Sequence, residues 1–340
     1  MPQMTNWASS IAGLRLMALT LLALSAAACA DTMEPTTEAE SGADTPEVLA
    51  SDSLAADTLG ADSLSLETAS FASASANRRG TPFGFWRLDY TDLGSDWNSL
   101  HRGTSPNSIR RDLEIARKRG GRVFVQFAGR TKHYQNKNGS FSIEKFKKLL
   151  SAYKGLKLDS YIADGTLAGH MMIDEPSDKS NWNGRPMSHK QIEEAAKASK
   201  AIWPRLPTLV RTVPTWLANS RWTYLDGAWA QYSARKGNVD KYRDAETRAA
   251  KKAGLKLVWG LNVIDGGNGS SKRRGTARGK YNMSASELQK YGKSLLGASH
   301  TCGFLMWMYD KSYLKSGSVM SAMKSLSKLA KSQSAQSCKS

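Results

Sequence analysis

From residue 82 to about residue 332, short apolar runs alternate with longer stretches where Leu, Ile, Ala and Tyr recur every three or four positions among Lys, Glu and Ser. The runs Pro82–Leu88, Arg122–Phe127, Gly169–Asp174, Thr208–Val213, Gly227–Tyr232, Leu257–Ile264 and Gly303–Tyr309 have the length and the β-branched or aromatic content of strands. Several are apolar at nearly every position, as strands covered by helices on both faces must be. The helical periodicity falls over roughly 106–119, 142–154, 188–202, 239–253, 284–296 and 317–331. Ser105-Pro106 sets a cap before a proline at a first helical position, and Ser284 with Glu287 has the spacing of a capping box.

Strand and helix alternating over about 260 residues predict one α/β domain, a (β/α)8 barrel over 80–335. Seven runs leave one strand missing, with a place for it between Asp89 and Ser105 or between Gln135 and Ser160. A doubly wound open sheet is the competing arrangement. It is disfavoured because no GxGxxG follows the first run.

The first eighty residues read differently. Residues 11–28 form an apolar stretch with one early Arg, running through small residues into Cys29, the shape of an export signal over 1–29. Ser25-Ala26-Ala27-Ala28-Cys29 resembles a bacterial lipobox, with Leu24 further upstream than that pattern wants. The resemblance implies lipidation of Cys29 and a cell-envelope protein; an ordinary signal implies a secreted one. Residues 30–79 are rich in Ala, Ser, Thr, Asp and Glu, and repeat Asp-Ser/Thr-Leu at Asp52, Asp57 and Asp62. One-sign charge with almost no aromatics predicts a disordered acidic linker.

That linker changes how the charge is read. The chain has 48 Lys+Arg against 30 Asp+Glu, yet residues 31–79 contain ten acids and two bases. The remaining body carries 45 bases and 20 acids, a net of +25. Such a balance invites a nucleic-acid partner, and export argues against one. Lys272, Arg273, Arg274, Arg278 and Lys280 cluster after the seventh run. They fit either recognition of an acidic polysaccharide or a solvated loop. Hydrophobic residues at 40% suffice for a packed core, and three cysteines are too few for a disulfide scaffold. With Cys29 assigned to a lipid, Cys302 and Cys338 remain as a candidate disulfide in an oxidising compartment. The five histidines show no metal-binding spacing, and neither metal nor cofactor is expected.

Barrel chemistry gathers where strands end. The residues there are Trp86, Arg87 and Asp89; Gln126 and Gly129; Asp174, Glu175 and Pro176; Arg211; Gln231 and Tyr232; Asn262 and Asp265; and Trp307, Tyr309 and Asp310. Carboxylates, amides and aromatics dominate. In His170-Met171-Met172-Ile173-Asp174-Glu175-Pro176 an apolar strand runs directly into two acids and a proline.

That segment resembles the glycoside hydrolase barrels, where an acidic strand end followed by Pro carries the acid/base on the fourth strand. Numbered back from Gly303–Tyr309 as the eighth, this strand is number four; counted forward from the first run it is the third. The resemblance implies Glu175 as general acid/base, its pKa raised by burial and neighbouring charge. The largest such clan usually has Asn before the acid/base and Glu on the seventh strand. Here Asp174 precedes it, and the seventh run ends in Asn262-Val263-Ile264-Asp265. Asp265 is one candidate partner carboxylate. The adjacent Asp174-Glu175 pair is similar instead to the hexosaminidase type, where Asp orients a substrate acetamido group that attacks internally. Both readings imply an extracellular or cell-wall polysaccharide or oligosaccharide substrate. The alternative is a non-catalytic carbohydrate- or polyanion-binding barrel.

Aromatics fit sugar binding, because flat rings pack on the C–H faces of sugars. Trp86 and Trp307 fall at strand ends; Trp97, Trp182, Trp216 and Trp222 fall in expected loops; Trp229 and Trp259 read as core. With Arg87, Arg211, Gln231, Tyr232, Asn262 and Tyr309, the strand-end tryptophans make the expected substrate-binding set. His101-Arg102-Gly103 resembles the opening of glycerophosphodiester phosphodiesterases. Trp97-Asn98-Ser99-Leu100 before it makes a poor strand, and no Glu-x-Asp follows. Gly266-Gly267-Asn268-Gly269-Ser270-Ser271-Lys272 lacks the ending of a phosphate loop.

Overall fold

The computed structural model describes residues 79–340. The export signal, Cys29 and the acidic linker up to Arg78 lie outside the described residues. Eight parallel strands close into a barrel in chain order: β1 Phe83–Trp86, β2 Ser99–Gly103, β3 Arg122–Gln126, β4 Leu167–Asp174, β5 Thr208–Arg211, β6 Gly227–Tyr232, β7 Lys256–Leu261 and β8 Thr301–Met306. The described helices are α1 Ile109–Lys118, α2 Ile143–Ser151, α3 Asp159–Ala163, α4 His189–Lys200, α5 Pro214–Leu217, α6 Val239–Ala253, α7 Ala285–Leu296, α8 Lys311–Leu314 and α9 Gly317–Ser332.

The missing strand is β2, within the Asp89–Ser105 gap, so numbering forward from β1 and numbering back from β8 now agree that this strand is β4. Its sequence, Ser-Leu-His-Arg-Gly, has one apolar side chain, which is why an apolar-run search passes over it. Leu100 packs outward into the shell beneath the helices, Ser99 Oγ donates to the Arg122 carbonyl at 2.8 Å, and His101 is buried edge-on to Trp229. A second departure concerns α1. It starts at Ile109, three residues after Pro106, because residues 105–108 form a turn in which the Ser105 carbonyl accepts from Ser108 and Ile109. The Ser284–Glu287 capping box is formed at α7, and Ser188 with Gln191 makes a second at α4.

Side chains divide between two cores. The larger lies between barrel and helices. The smaller fills the barrel, with Phe124, Met171, Leu209, Trp229, Val258 and Leu305. Since successive residues of a strand face opposite ways, the positions two beyond the last interior apolar residues form the top layer. These are Arg211 on β5, Gln231 on β6 and Trp307 just past β8. Gly260 keeps the interior open for Trp229. A Cβ there would stand 2.3 Å from the indole nitrogen, whose N–H donates to the Leu305 carbonyl at 3.0 Å.

The opposite, N-terminal face is closed by the end of the chain. Thr81 N donates to the Ala330 carbonyl at 2.8 Å. Cys338 is bonded to Cys302, the second residue of β8, with Cα atoms 5.0 Å apart. Ser340 donates to Asp226, which also pairs with Lys200 and accepts from Thr208 N.

Candidate active site

Parallel pairing of β4 with β5 sets Asp174 opposite Arg211. The Arg211 side chain, 12% exposed, donates through Nε to Asp174 Oδ1 and reaches Glu175 Oε1 through Nη2 at 3.3 Å. Its Nη1 lies 3.3 Å from Gln231 Oε1. Burial alone would lower the pKa of Arg211; Asp174 and then Glu175 hold it above its ordinary value.

Glu175 is the first residue beyond β4, and its φ is 46°. A left-handed β-unbranched residue costs of order 1 kcal/mol and persists only where its surroundings enforce it. Here they do. Glu175 N donates to the Arg211 carbonyl, and the Glu175 carbonyl accepts from Asp178 N and from the Trp182 indole, all at 3.0 Å. Asn181 Nδ2 adds a contact to Oε2 at 3.4 Å. The carboxylate itself is 43% exposed and faces a guanidinium. It therefore does not sit in the closed apolar setting expected from the sequence, although the like charge of Asp174 is beside it on the same guanidinium.

A cleft of about 310 Å³ opens beside this carboxylate. Glu175, Ser177 and Asp178 from the β4 loop line one side, Arg211 and Gln231 the floor, and Arg235, Lys236 and Asn262 the other side. Gln231 Nε2 is a buried donor with no hydrogen-bond partner among the described residues. Tyr232 also borders the cleft, but its hydroxyl donates to the Gly237 carbonyl and its ring packs on Tyr242 and Tyr291.

Asp265 is placed differently from the role considered for it. It is 7% exposed, and its carboxylate accepts from Thr276 Oγ1 at 2.6 Å and Ala277 N at 3.1 Å. It fastens the loop after β7 and is absent from the cleft lining, where Asn262 represents that strand; Asp174, turned to Arg211, is absent from the lining as well.

On the β1 and β8 side of the mouth, Trp86 and Trp307 stack with centroids 6.1 Å apart and planes within 11°. The Arg87 guanidinium lies 4.4 Å from the Trp86 ring centroid, on a backbone with φ 64°. Tyr309 packs edge-on to Phe85, and desolvation, with Asp92 and Asp89 nearby, pushes its phenol up to about 12. Other tryptophans expected at loops serve elsewhere. Trp97 is buried against Phe83 and Phe85, and Trp182 is buried holding the Glu175 backbone. Trp216 and Trp222 pack on His189 at the N-terminus of α4.

His101 is the interior residue that strand-end reasoning passed over. Both ring nitrogens are buried without hydrogen-bond partners among the described residues, and desolvation pushes its pKa down to about 4. Asp174 and Arg211 act on it in opposite directions. Arg235, Lys236 and Ser177 were also missed, because their loops carry no strand signal.

Solved structures share this architecture. A GH5_18 from Bifidobacterium longum subsp. infantis matches with a TM-score of 0.51 and 10% identity, over 76% of this chain and 81% of that one. This chain folds as a (β/α)8 barrel, the fold of those structures. A proposed glycoside hydrolase of Parabacteroides distasonis gives a TM-score of 0.50 and 9% identity, over 76% and 95%. At such identities the likeness is one of fold. No protein-family model matches the chain, and no curated protein matches it.

Proposed function

We propose that the protein is a glycoside hydrolase of extracellular or cell-wall polysaccharide, with Glu175 as the general acid. The observation that carries this reading is Glu175 itself. A strained backbone, fastened by Arg211, Asp178 and Trp182, presents an accessible carboxyl to a cleft at the catalytic end of a barrel. Cleavage needs that carboxyl to protonate the departing glycosidic oxygen. The stacked Trp86 and Trp307 offer a platform for a sugar face across the mouth.

Asp174 is the partner in this reading: it is adjacent to Glu175, shares the Arg211 guanidinium with it and is 44% exposed, whereas Asp265 is buried and fastened within its own loop. On a 2-acetamido sugar, Asp174 orients the acetamido group, whose carbonyl oxygen attacks the anomeric carbon as Glu175 protonates the leaving group. Water then opens the cyclic intermediate, with Glu175 as base. Arg211 holds the two carboxylates in one register. Export and lipidation at Cys29 would place the enzyme at the cell envelope, which mass spectrometry of the mature N-terminus tests.

The test is a screen of polysaccharides and 2-acetamido aryl glycosides with the wild type and Glu175→Gln. The variant should fold and lose about 10²–10⁴ in rate. Unchanged turnover in the variant removes Glu175 from the mechanism. A second reading, a non-catalytic polysaccharide-binding barrel, draws on the capture of both carboxylates by Arg211. Binding without any turnover by the wild type would favour it.

A further inference from the structure

The loops that follow β6 and β7, residues 233–238 and 262–284, carry seven cations: Arg235 and Lys236 on the first and five between Lys272 and Lys280 on the second. The single acid on either loop, Asp265, is buried and committed to Thr276 and Ala277. None of the seven forms an ion pair among the described residues, whereas Arg102, Arg117, Lys200, Arg211 and Arg243 all do. The two loops abut, since Ala234 N donates to the Gly266 carbonyl at 2.8 Å. Their charges therefore lie on one side of the mouth.

Two of these cations belong to the cleft as well as to the surface. Arg235 and Lys236 line it together with Glu175. The Lys236 ammonium donates to Tyr242 Oη at 3.2 Å and lies 4.8 Å from that ring's centroid, and Tyr242 in turn donates to the Gln231 carbonyl. The ammonium is thus held against Tyr242 at the cleft wall. Desolvation lowers its pKa, with Glu246 and Glu175 opposing and Arg211 reinforcing the change. Below it, Gln231 Nε2 is a buried donor still without a partner. A wall of unpaired cations over a spare donor suits an anionic acceptor better than a neutral one.

We infer that the cleft takes an acidic polysaccharide. Arg235 and Lys236 bind the anionic group of the sugar held next to Glu175, and the 272–280 loop takes charges further along the chain. This deepens the carbohydrate reading above and rests on it for the nature of the polymer.

Binding measured with the full-length protein tests it. Hyaluronan and polygalacturonate are each compared with their carboxyl-reduced forms, and dextran sulfate with dextran, across a salt series. The charged member of at least one pair should bind tenfold or more tightly, and the pair identifies carboxylate or sulfate. The double variant Arg235→Ala/Lys236→Ala should lose roughly tenfold of that affinity with an unchanged melting temperature. The triple variant Lys272→Ala/Arg273→Ala/Arg274→Ala should flatten the salt dependence. Equal binding of charged and neutral forms, or failure of every acidic polymer to bind, overturns the inference. So does duplex DNA binding as tightly as the best polysaccharide, which would mark unselective attraction. The inference and the hydrolase reading separate cleanly. Charge preference without turnover leaves the inference and removes the enzyme, whereas turnover of neutral chains without charge preference does the reverse.

Discussion

Arg211 Nη2 lies 3.3 Å from Glu175 Oε1, and the pairing of β4 with β5 is what puts it there. The same guanidinium also holds Asp174. Arg211→Met removes the cation and leaves two neighbouring carboxylates. Both are about two-fifths exposed, so water recovers much of the lost attraction. The expected cost is about 1–2 kcal/mol, below that of orphaning a fully buried ion. Urea midpoints measure it. A loss of several kcal/mol would mean that the carboxylates are far drier than the geometry indicates.

Asp174 and Asp265 should part company on mutation. Asp174→Asn is expected to lose at least a hundredfold in turnover of 2-acetamido substrates. Asp265→Asn should change turnover by less than about fivefold and lower stability by about 1 kcal/mol, because a carboxylate accepting two hydrogen bonds within a loop becomes an amide. Steady-state rates and melting curves for both variants separate the roles. A large catalytic loss in Asp265→Asn would restore it as the partner carboxylate.

Stability should fall as pH drops from about 6.5. Desolvation pushes the His101 pKa down to about 4 and the His170 pKa down to about 3, so both stay neutral in the fold while the unfolded chain takes up protons. Their neutral forms are tolerated without penalty above 6.5, and stability is lost as pH falls toward those folded values. Two such groups give a limiting slope of about 2.7 kcal/mol per pH unit. Urea midpoints between pH 6.5 and 5, above most carboxylate titrations, read this directly. His101→Gln should remove about half of the part these two histidines supply, to which His189 and His300, also lowered by desolvation, add; a pH-independent midpoint would refute the assignment.

The bond between Cys302 and Cys338 closes a separation of 36 residues. By the chain-entropy account it contributes about 3–4 kcal/mol. Cys338→Ser should lower the unfolding free energy by that amount, and thiol titration of the denatured, unreduced protein should find no free thiol from this pair. Two reactive thiols would contradict the bond.

Glu193 on α4 accepts from three successive backbone amides, Thr223, Tyr224 and Leu225, at 2.6, 2.9 and 3.3 Å. It fixes the segment that leads into β6 where no long helix precedes the strand. Glu193→Ala leaves those donors unpaired and should cost about 1–3 kcal/mol. Amide exchange at 223–225 should accelerate; unchanged exchange there would show that the segment holds itself.

How much of this was readable in advance follows from what a sequence pattern encodes. Burial leaves a periodic trace, so the apolar strands and long helices could be placed within a few residues, and β6 and α6 to the residue. Strand β2 left no such trace, since His101 and Ser99 face a crowded interior where hydrogen bonding and ring contacts replace apolar burial. Trp182 sits in a loop, yet it is buried because the strained Glu175 carbonyl needs its indole N–H.

The amino-acid sequence by itself determined the alternation of strand and helix, the acidic pair at the end of β4 and the cations on the later loops, because each is a matter of local composition and spacing. Only the tertiary structure decided which of these residues meet. Closure and strand register bring Arg211 between Asp174 and Glu175 and set Lys236 in the same cleft as Glu175. Those juxtapositions join residues far apart in the chain. They follow from the way eight strands share hydrogen bonds around a ring, a relation that no single stretch of sequence contains.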